Sequence, residues 1–222
     1  MNSEKELLIE ICRSCYLDCK FCSSNADENS LQLLKFEQIN SILEYSKKLR
    51  ISKVELSGGE PFTHPDFLKI CKSITNHQIK LEIYTSGNLK KKGELIPIPI
   101  NTLKELNNCK LDSIRFNLQS HNKEVHNLLT NSESFDNTLT SLKRSIKLGL
   151  NTEVHIIPLK QNYLELHQTI NFLKSLGVNK IKFLRFVAHG RGLPNKDLLE
   201  LSYPEYNDLV KNFIKYKRNY ST

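Results

Sequence analysis

Long apolar runs and low-complexity stretches are both absent from the 222-residue sequence. No segment approaches the roughly 20 apolar residues of a membrane-spanning helix, so we expect no membrane partner. The apolar run at residues 7–11 is too short for the core of a signal peptide. No Gly/Ser-rich or Pro-rich linker divides the chain, which predicts a single domain over residues 1–222. A cytoplasmic location is the expectation that follows.

Acidic residues are outnumbered, because 24 Asp and Glu stand against 32 Lys and Arg, with a net charge of +8 and a pI near 9.1. A basic surface attracts phosphates, so nucleic acid is one partner class to consider. However, the lysines are spread along the chain, and their one compact run, at residues 90–92, falls in a predicted loop. The sequence shows no helix-turn-helix pattern and no aromatic RNA-stacking strand. Nucleic acid is therefore the less favoured partner.

Hydrophobic periodicity predicts about six repeats of a strand followed by a helix. Apolar β-branched runs predict strands at residues 7–11, 52–56, 81–84, 113–118, 153–157 and 180–186. Amphipathic stretches predict helices at residues 36–49, 66–75, 139–148 and 163–176, the last two followed by Gly149 and Gly177. Because parallel strands need helical crossovers, the alternation predicts an α/β fold. Six units are too few for an eight-stranded barrel, so we expect an open, partial (βα)6 TIM-like barrel that binds ligands at the carboxyl ends of its strands.

Four cysteines lie in one short loop directly after the first predicted strand. In a reducing compartment such a group is better explained by metal binding than by disulfides. Cys15, Cys19 and Cys22 have the spacing CxxxCxxC, which suits three irons of a cubane cluster and leaves the fourth iron open to a small molecule. The loop therefore predicts an iron–sulfur site.

Two other metal sites are compatible with the same cysteines. Cys12 with Cys15 and Cys19 with Cys22 form two CxxC pairs, the beginning of a structural zinc site, although zinc sites usually separate their pairs by a longer loop. Alternatively, Cys12 is the fourth ligand of a ferredoxin-type cluster. Cys12 is otherwise a buried thiol at the end of the strand, a protonated neighbour of the cluster, or a competing ligand in damaged protein. The two remaining cysteines are expected in the core: Cys71 and Cys109.

A second motif, Ser57-Gly58-Gly59-Glu60-Pro61, ends the second predicted strand. Together with the cysteine spacing and Phe21 just before the last cysteine, it resembles the radical S-adenosylmethionine (SAM) superfamily. The resemblance implies that Cys15, Cys19 and Cys22 hold a [4Fe–4S] cluster that cleaves SAM reductively to start radical chemistry. It also implies SAM contacts by Phe21, Gly58, Gly59, Glu60 and Pro61. The resemblance covers residues 7–192, and a basic helix is predicted after it at about 203–217.

Two more strand ends are similar to segments that border the SAM pocket in this family. Thr85-Ser86-Gly87 resembles the family's TNG segment, with Ser86 in the place of Asn. Asn117 and Gln119 stand where the family has Ser and Asp, so a carboxylate role at the second position is in doubt. The resemblance implies SAM contacts by Thr85, Ser86, Asn117 and Gln119. His126, further along, is expected to be a structural residue at a helix entry.

The last predicted strand runs into RFVAHGRG at residues 185–192, which resembles the segment that closes the core in SPASM-type, peptide-modifying members of the family. No cysteine follows Cys109, so no auxiliary cluster is expected in the C-terminal part. We expect the substrate over the open mouth of the sheet, where arginines suit a carboxylate or phosphate. The substrate residues expected there are His155, Arg185, His189 and Arg191.

The resemblance favours a peptide or protein as the substrate. Modification of a nucleotide or RNA is the second alternative, and a non-catalytic iron–sulfur carrier or scaffold is the third. The expected electron donor is of the flavodoxin or ferredoxin type. No catalytic residue follows from the sequence.

Overall fold

The computed structural model describes residues 5–219, with side chains as far as residue 214. Its strands are β1 (Lys5–Cys12), β2 (Ile51–Gly58), β3 (Lys80–Thr85), β4 (Asn88–Lys91), β5 (Glu94–Pro97), β6 (Ser113–Asn117), β7 (Thr152–Ile156) and β8 (Lys180–Phe183). Six of them form one sheet in the order β1-β2-β3-β6-β7-β8, and every neighbouring pair is parallel. β4 and β5 form a separate hairpin.

The helices are α1 (Phe36–Leu49), α2 (Phe67–Asn76), α3 (Ile100–Asn108), α4 (Lys123–Thr130), α5 (Phe135–Lys147), α6 (Leu166–Ser175), α7 (Lys196–Leu199) and α8 (Tyr203–Asn219). Gly149 and Gly177 end α5 and α6 with φ of 74° and 87°, the left-handed conformation expected of them. Within the described residues, no helix is both long and apolar enough to cross a membrane.

The predicted fold class is confirmed, because the six parallel strands form a partial barrel in which β1 and β8 are not paired with each other in the described chain. Three details differ from the predictions. The strand predicted at residues 180–186 ends at Phe183, since the chain then leaves the sheet towards the cysteine loop. The helix predicted at 139–148 starts earlier, at Phe135, and α3 and α4 were not predicted at all.

The loop predicted at residues 90–92 is also wrong in part. Lys90 and Lys91 lie in β4, and only Lys92 belongs to the turn of the β4–β5 hairpin. Lys92 and Gly93 have φ of 51° and 88°, and two consecutive residues with positive φ form the tight turn that matches the twist of a hairpin. The two-residue turn is easily mistaken for a loop because each flanking strand has only 4 residues.

The two faces of the sheet differ in chemistry because side chains alternate along each strand. One face is apolar and packs against the helices; its buried residues include Val54, Leu56, Ile83, Phe116 and Val154. The opposite, concave face carries charged side chains that pair across strands: Glu55, Glu82, Arg115 and Glu153. The concave face leads directly to the carboxyl ends of the strands, where the predicted site residues meet.

Candidate active site

The cysteine loop follows β1 and is held by backbone hydrogen bonds although it has little regular secondary structure. The N–H of Cys15 donates to the carbonyl of Asp27 at 3.0 Å. Further along, the N–H of Cys22 donates to the carbonyl of Cys19 at 3.1 Å. The loop therefore has a defined shape that carries its thiols to the carboxyl end of the sheet.

A cavity of about 210 Å³ lies where the cysteine loop meets the carboxyl ends of the strands. The thiols of Cys15, Cys19 and Cys22 all border it. It is also lined by most of the residues for which a SAM contact was expected, which are Phe21, Gly58, Gly59, Thr85, Ser86, Asn117 and Gln119. The structure thus brings both sequence motifs and the ends of β3 and β6 together around one space.

Burial controls the protonation of two thiols in this cavity, those of Cys15 and Cys19. Burial, followed by the negative charge of Glu60, raises the pKa of Cys15 to about 12. Burial also raises the pKa of Cys19 well above its ordinary value, and negative charge on Cys15 or Cys22 adds to this effect. Without a metal these two thiols stay neutral, and a bound cluster displaces their protons, as metal ions do for coordinating thiols.

The donor geometry does not suit a single metal ion. Among the described side chains, no group of three or more His, Cys, Asp or Glu residues is arranged around one ion. A structural zinc ion requires four ligands around one centre. Three thiols that border a shared cavity without converging on a point are instead compatible with a larger, polynuclear group.

Cys12 lies apart from the three cavity thiols. It is buried, and its sulfur contacts the carbonyl of Glu60 at 3.4 Å and the hydroxyl of Thr63 at 3.5 Å. Burial raises the pKa of its thiol. Of the roles considered for Cys12, the structure therefore favours the buried thiol at the end of a strand, turned towards the segment after the GGEP motif.

The two glycines of the GGEP motif allow β2 to contact the cysteine loop. A Cβ on Gly58 would lie 2.2 Å from the carbonyl oxygen of Cys12, and one on Gly59 would lie 2.2 Å from that of Ser14. The N–H groups of Gly59 and Glu60 donate to these same carbonyls at 2.8 and 2.7 Å. The glycines are thus needed for close packing between two backbone segments, in addition to any approach by a ligand.

The Glu60 carboxylate does not line the cavity, and its expected contact with SAM stays a prediction. It is fully buried and accepts hydrogen bonds from the Thr85 hydroxyl at 2.7 Å, the Ser86 N–H at 2.8 Å and the Ser86 hydroxyl at 2.6 Å. Burial raises its pKa, and the bonds to Ser86 and Thr85 oppose that rise. Glu60 therefore ties the GGEP turn to the end of β3; Pro61 likewise lies outside the cavity lining.

Gln119 is tied to three neighbouring segments, which explains an amide where the family has a carboxylate. Its side-chain oxygen accepts from the N–H of Ile157 at 2.9 Å, and its amide nitrogen donates to Asn117. The backbone N–H of Gln119 donates to Nδ1 of His126 at 3.2 Å. His126 lies buried in α4, beside Ser134, and burial lowers its pKa to about 4. His126 is thus a neutral structural residue behind the cavity wall.

His155 reaches the cavity from β7. Its Nε2 lies 3.3 Å from a carboxylate oxygen of Glu153, while its buried Nδ1 has no hydrogen-bond partner among the described residues. Burial lowers the pKa of His155 to about 4, so the ring is neutral. Burial acts to raise the pKa of Glu153, but the bond to His155 and the charge of Arg115 hold it below its ordinary value. An ionised Glu153 places the ring proton on Nε2, which leaves Nδ1 as an acceptor.

Of the other three residues expected near the substrate, Arg191 borders the cavity, whereas Arg185 and His189 do not line it. Arg185 is exposed and lines a separate groove of about 690 Å³ between the end of β8 and α8. His189 is exposed, and its Nδ1 contacts the carbonyl of Ser23 at 2.8 Å. Arg191 borders the cavity, but its guanidinium donates to two carbonyls of the cysteine loop. Of these four residues, His155 is the one that lines the cavity and has a buried ring nitrogen without a partner among the described residues.

Eight residues that line the cavity were not named as site residues from the sequence: Leu17, Ser23, Ser24, Ala26, Ser57, Tyr84, Ile157 and Leu184. Tyr84 accepts a hydrogen bond from Arg115 at 2.9 Å, and its ring lies edge-on to that of His155. The signal that points to this layer is the polar residue at every second position in β3, β6 and β7, which marks their concave side.

The family model that matches this chain is that of the radical SAM superfamily, over residues 9–173. The match extends from β1, through both motifs and the cavity, into α6. The chain belongs to the radical SAM superfamily. Members of this superfamily are enzymes that use a [4Fe–4S] cluster and SAM.

Two curated relatives match almost the whole of this chain. A protein of Sulfurisphaera tokodaii named "Probable GTP 3′,8-cyclase" is 28% identical over 215 residues, which are 96% of this chain and 64% of the relative. A protein of the same name from Saccharolobus solfataricus is 25% identical over 214 residues, which are 95% of this chain and 65% of the relative. The chain thus spans less than two thirds of the length of these relatives.

Solved radical SAM structures share the fold. Streptococcus suis SuiB bound to its precursor peptide SuiA has a TM-score of 0.79 at 18% identity, over 99% of this chain and 47% of SuiB. The anSMEcpe enzyme with bound AdoMet and a peptide has a TM-score of 0.67 at 17% identity, over 83% of this chain and 52% of that one. At these identities the likeness shows the fold alone.

Proposed function

We propose that this chain binds a [4Fe–4S] cluster through Cys15, Cys19 and Cys22 and uses it to cleave SAM. When bound, the reduced cluster and SAM supply a 5′-deoxyadenosyl radical that takes a hydrogen atom from a substrate. The observation that carries the proposal is the cavity that the three thiols share with both glycines and with the ends of β3 and β6. Three protein thiolates for four irons leave one iron for SAM, whereas electron-transfer clusters are usually closed by four thiolates.

The residues present fit these two groups. The fourth cysteine of the loop, Cys12, is turned away, which argues against a cluster closed by four loop thiolates. Phe21 supplies an apolar ring in the cavity wall, and Thr85, Ser86 and Asn117 supply polar atoms for the nucleoside and amino-acid parts of SAM. Glu60 acts indirectly here, by holding Thr85 and Ser86 in place.

We propose a nucleotide as the substrate, with GTP as the first compound to test. This proposal rests on the name of the two relatives that match 96% and 95% of the chain. It reverses the order expected from the RFVAHGRG resemblance, because that segment contacts the cysteine loop in the structure. A peptide is the second candidate, since a fold neighbour is known bound to its precursor peptide. His155 is the proposed substrate contact, through its free Nδ1 acceptor.

Anaerobic reconstitution with iron and sulfide tests the cluster. The wild-type chain is expected to hold about four irons, and its electron paramagnetic resonance signal after reduction should change when SAM is added. The variant with Cys15, Cys19 and Cys22 all replaced by alanine is expected to lose the iron. Cys12→Ala and Cys71→Ala are matched controls outside the cavity and should keep it. Normal iron content in the triple variant, or zinc in the wild type, contradicts the proposal.

Product analysis tests the reaction. With dithionite or a reduced flavodoxin or ferredoxin as the electron donor, the enzyme should release 5′-deoxyadenosine from SAM, which a non-catalytic carrier does not do. Release that rises in the presence of GTP supports the nucleotide. Release that rises only with a peptide fraction supports the second candidate.

A further inference from the structure

The segment after β8 folds back onto the cysteine loop through a single arginine. The backbone N–H of Arg191 donates to the carbonyl of Cys22 at 2.9 Å. In its side chain, Nε donates to the carbonyl of Cys19 at 3.0 Å, and Nη1 donates to the carbonyl of Ala26 at 2.6 Å. Three carbonyls of the loop, including those of two proposed ligands, thus each accept a hydrogen bond from Arg191.

Neighbouring residues add to the same contact. His189 meets the carbonyl of Ser23 at 2.8 Å, and the amide of Asn195 donates to the carbonyl of Lys20 at 3.3 Å. A Cβ on Gly190 would lie 2.6 Å from the carbonyl oxygens of both Cys22 and Ser23. The two backbones are therefore packed so closely that this position accepts only glycine.

Arg191 also brings a positive charge to the cavity wall that the three thiols share. Burial raises the pKa of Cys15 and Cys19, and the charge of Arg191 opposes that rise. The carboxylate of Asp18 lies 3.0 Å from Arg191 but is largely exposed to solvent. Solvent therefore screens this ion pair more than it screens the effect of the Arg191 charge inside the cavity.

We propose that Arg191 is a positioning residue of the cluster: it holds the cysteine loop in its ligating shape, and its charge stabilises the reduced cluster. The proposal rests on the ligand set Cys15, Cys19 and Cys22 proposed above. Reduction adds one negative charge, and a nearby cation in a partly buried site favours the more negative state. The cation therefore raises the reduction potential, which eases electron entry from a donor.

Two substitutions at Arg191 separate the hydrogen bonds from the charge. Arg191→Lys keeps the charge but loses the planar fork, so iron per chain after gel filtration should fall while the midpoint potential stays near that of the wild type. Arg191→Gln also removes the charge, so the potential of the retained clusters should shift to a more negative value. Arg185→Gln makes the same charge change at an exposed site that lines the other groove, and should alter neither quantity.

The contact between the segment after β8 and the cysteine loop is called the clamp below. Gly190→Ala tests this clamp without any change in charge. Gly190 and Gly149 both have positive φ, 55° and 74°, but a Cβ on Gly149 meets no atom within 4 Å. Gly149→Ala therefore controls for backbone strain. We expect Gly190→Ala to lose iron, with an unshifted potential in the clusters that remain, and Gly149→Ala to keep its iron. Circular dichroism identifies any variant that fails to fold. If Arg191→Gln fails to fold, the iron contents of Arg191→Lys and Gly190→Ala test the clamp.

Wild-type iron content in Arg191→Gln, Arg191→Lys and Gly190→Ala overturns the clamp. A wild-type potential in Arg191→Gln overturns the role of the charge. If the wild-type chain itself holds no cluster, the proposed function has failed. If the wild type holds one and these variants match it, only the inference about Arg191 has failed.

Discussion

Replacement of Arg115 by methionine is expected to lower the free energy of unfolding by about 3–5 kcal/mol at pH 7, the usual cost of breaking a buried ion pair. The guanidinium is 2% exposed and pairs with carboxylates from three strands. It lies 2.8 Å from Glu55 and 3.4 Å from Glu153, and it donates to Glu82. Methionine fills part of the volume but removes the charge, so these acids lose their shared partner.

Two lysines limit the loss. Lys53 Nζ lies 3.4 Å from Glu82, and Lys182 Nζ lies 3.4 Å from Glu153. Burial already raises the pKa of Glu82 despite the opposing charge of Arg115, so this carboxyl should be the first to take up a proton in the variant. Protonation neutralises it, and the destabilisation should therefore shrink as the pH falls towards the ordinary carboxylate range.

Urea unfolding of the reduced protein, followed by circular dichroism, measures the effect. Lys123→Met is the control, since its pair with Asp136 is exposed, with 46% and 69% of the two side chains accessible, and its loss should change the stability little. The double variant Arg115→Met with Glu82→Gln should recover part of the loss by removing one orphaned charge. A loss in Arg115→Met no larger than in Lys123→Met refutes the reasoning.

Three further predictions concern the cavity and its wall. Gly59→Ala places a Cβ 2.2 Å from the carbonyl oxygen of Ser14 and should reduce iron per chain on reconstitution, whereas Gly93→Ala, whose Cβ meets nothing within 4 Å, should not. Burial lowers the pKa of His126 to about 4, so its neutral form stabilises the fold above pH 6.5. That stabilisation, about 3 kcal/mol, is lost as the pH falls from 6.5 to 4, and urea unfolding of His126→Gln should show a correspondingly weaker pH dependence. His155→Leu should keep its iron but lower substrate-dependent 5′-deoxyadenosine release by roughly tenfold, from the loss of one buried hydrogen bond; unchanged release argues against a substrate contact there.

The sequence alone was sufficient for the parts that depend on local pattern. The alternation of apolar runs and amphipathic stretches predicted the open parallel sheet, because strand and helix periodicities are properties of neighbouring residues. The cysteine spacing and the GGEP motif identified the family, and three cysteines and two glycines of these motifs meet at the cavity because parallel strands end at one edge. The hairpin and α3 escaped prediction because they are short elements, with strands of 4 residues and a helix of 9, between stronger signals.

What each side chain faces could be read only from the folded chain. In the sequence, nothing separates Cys12 from the three cysteines that follow it. In the fold, its sulfur contacts the hydroxyl of Thr63, which lies on another segment. The Glu60 carboxylate accepts a hydrogen bond from Ser86 after β3. The Arg191 guanidinium donates to a carbonyl of the cysteine loop. Such pairings join residues far apart in the chain, and a buried polar group takes whichever partner the packed fold brings within hydrogen-bond distance.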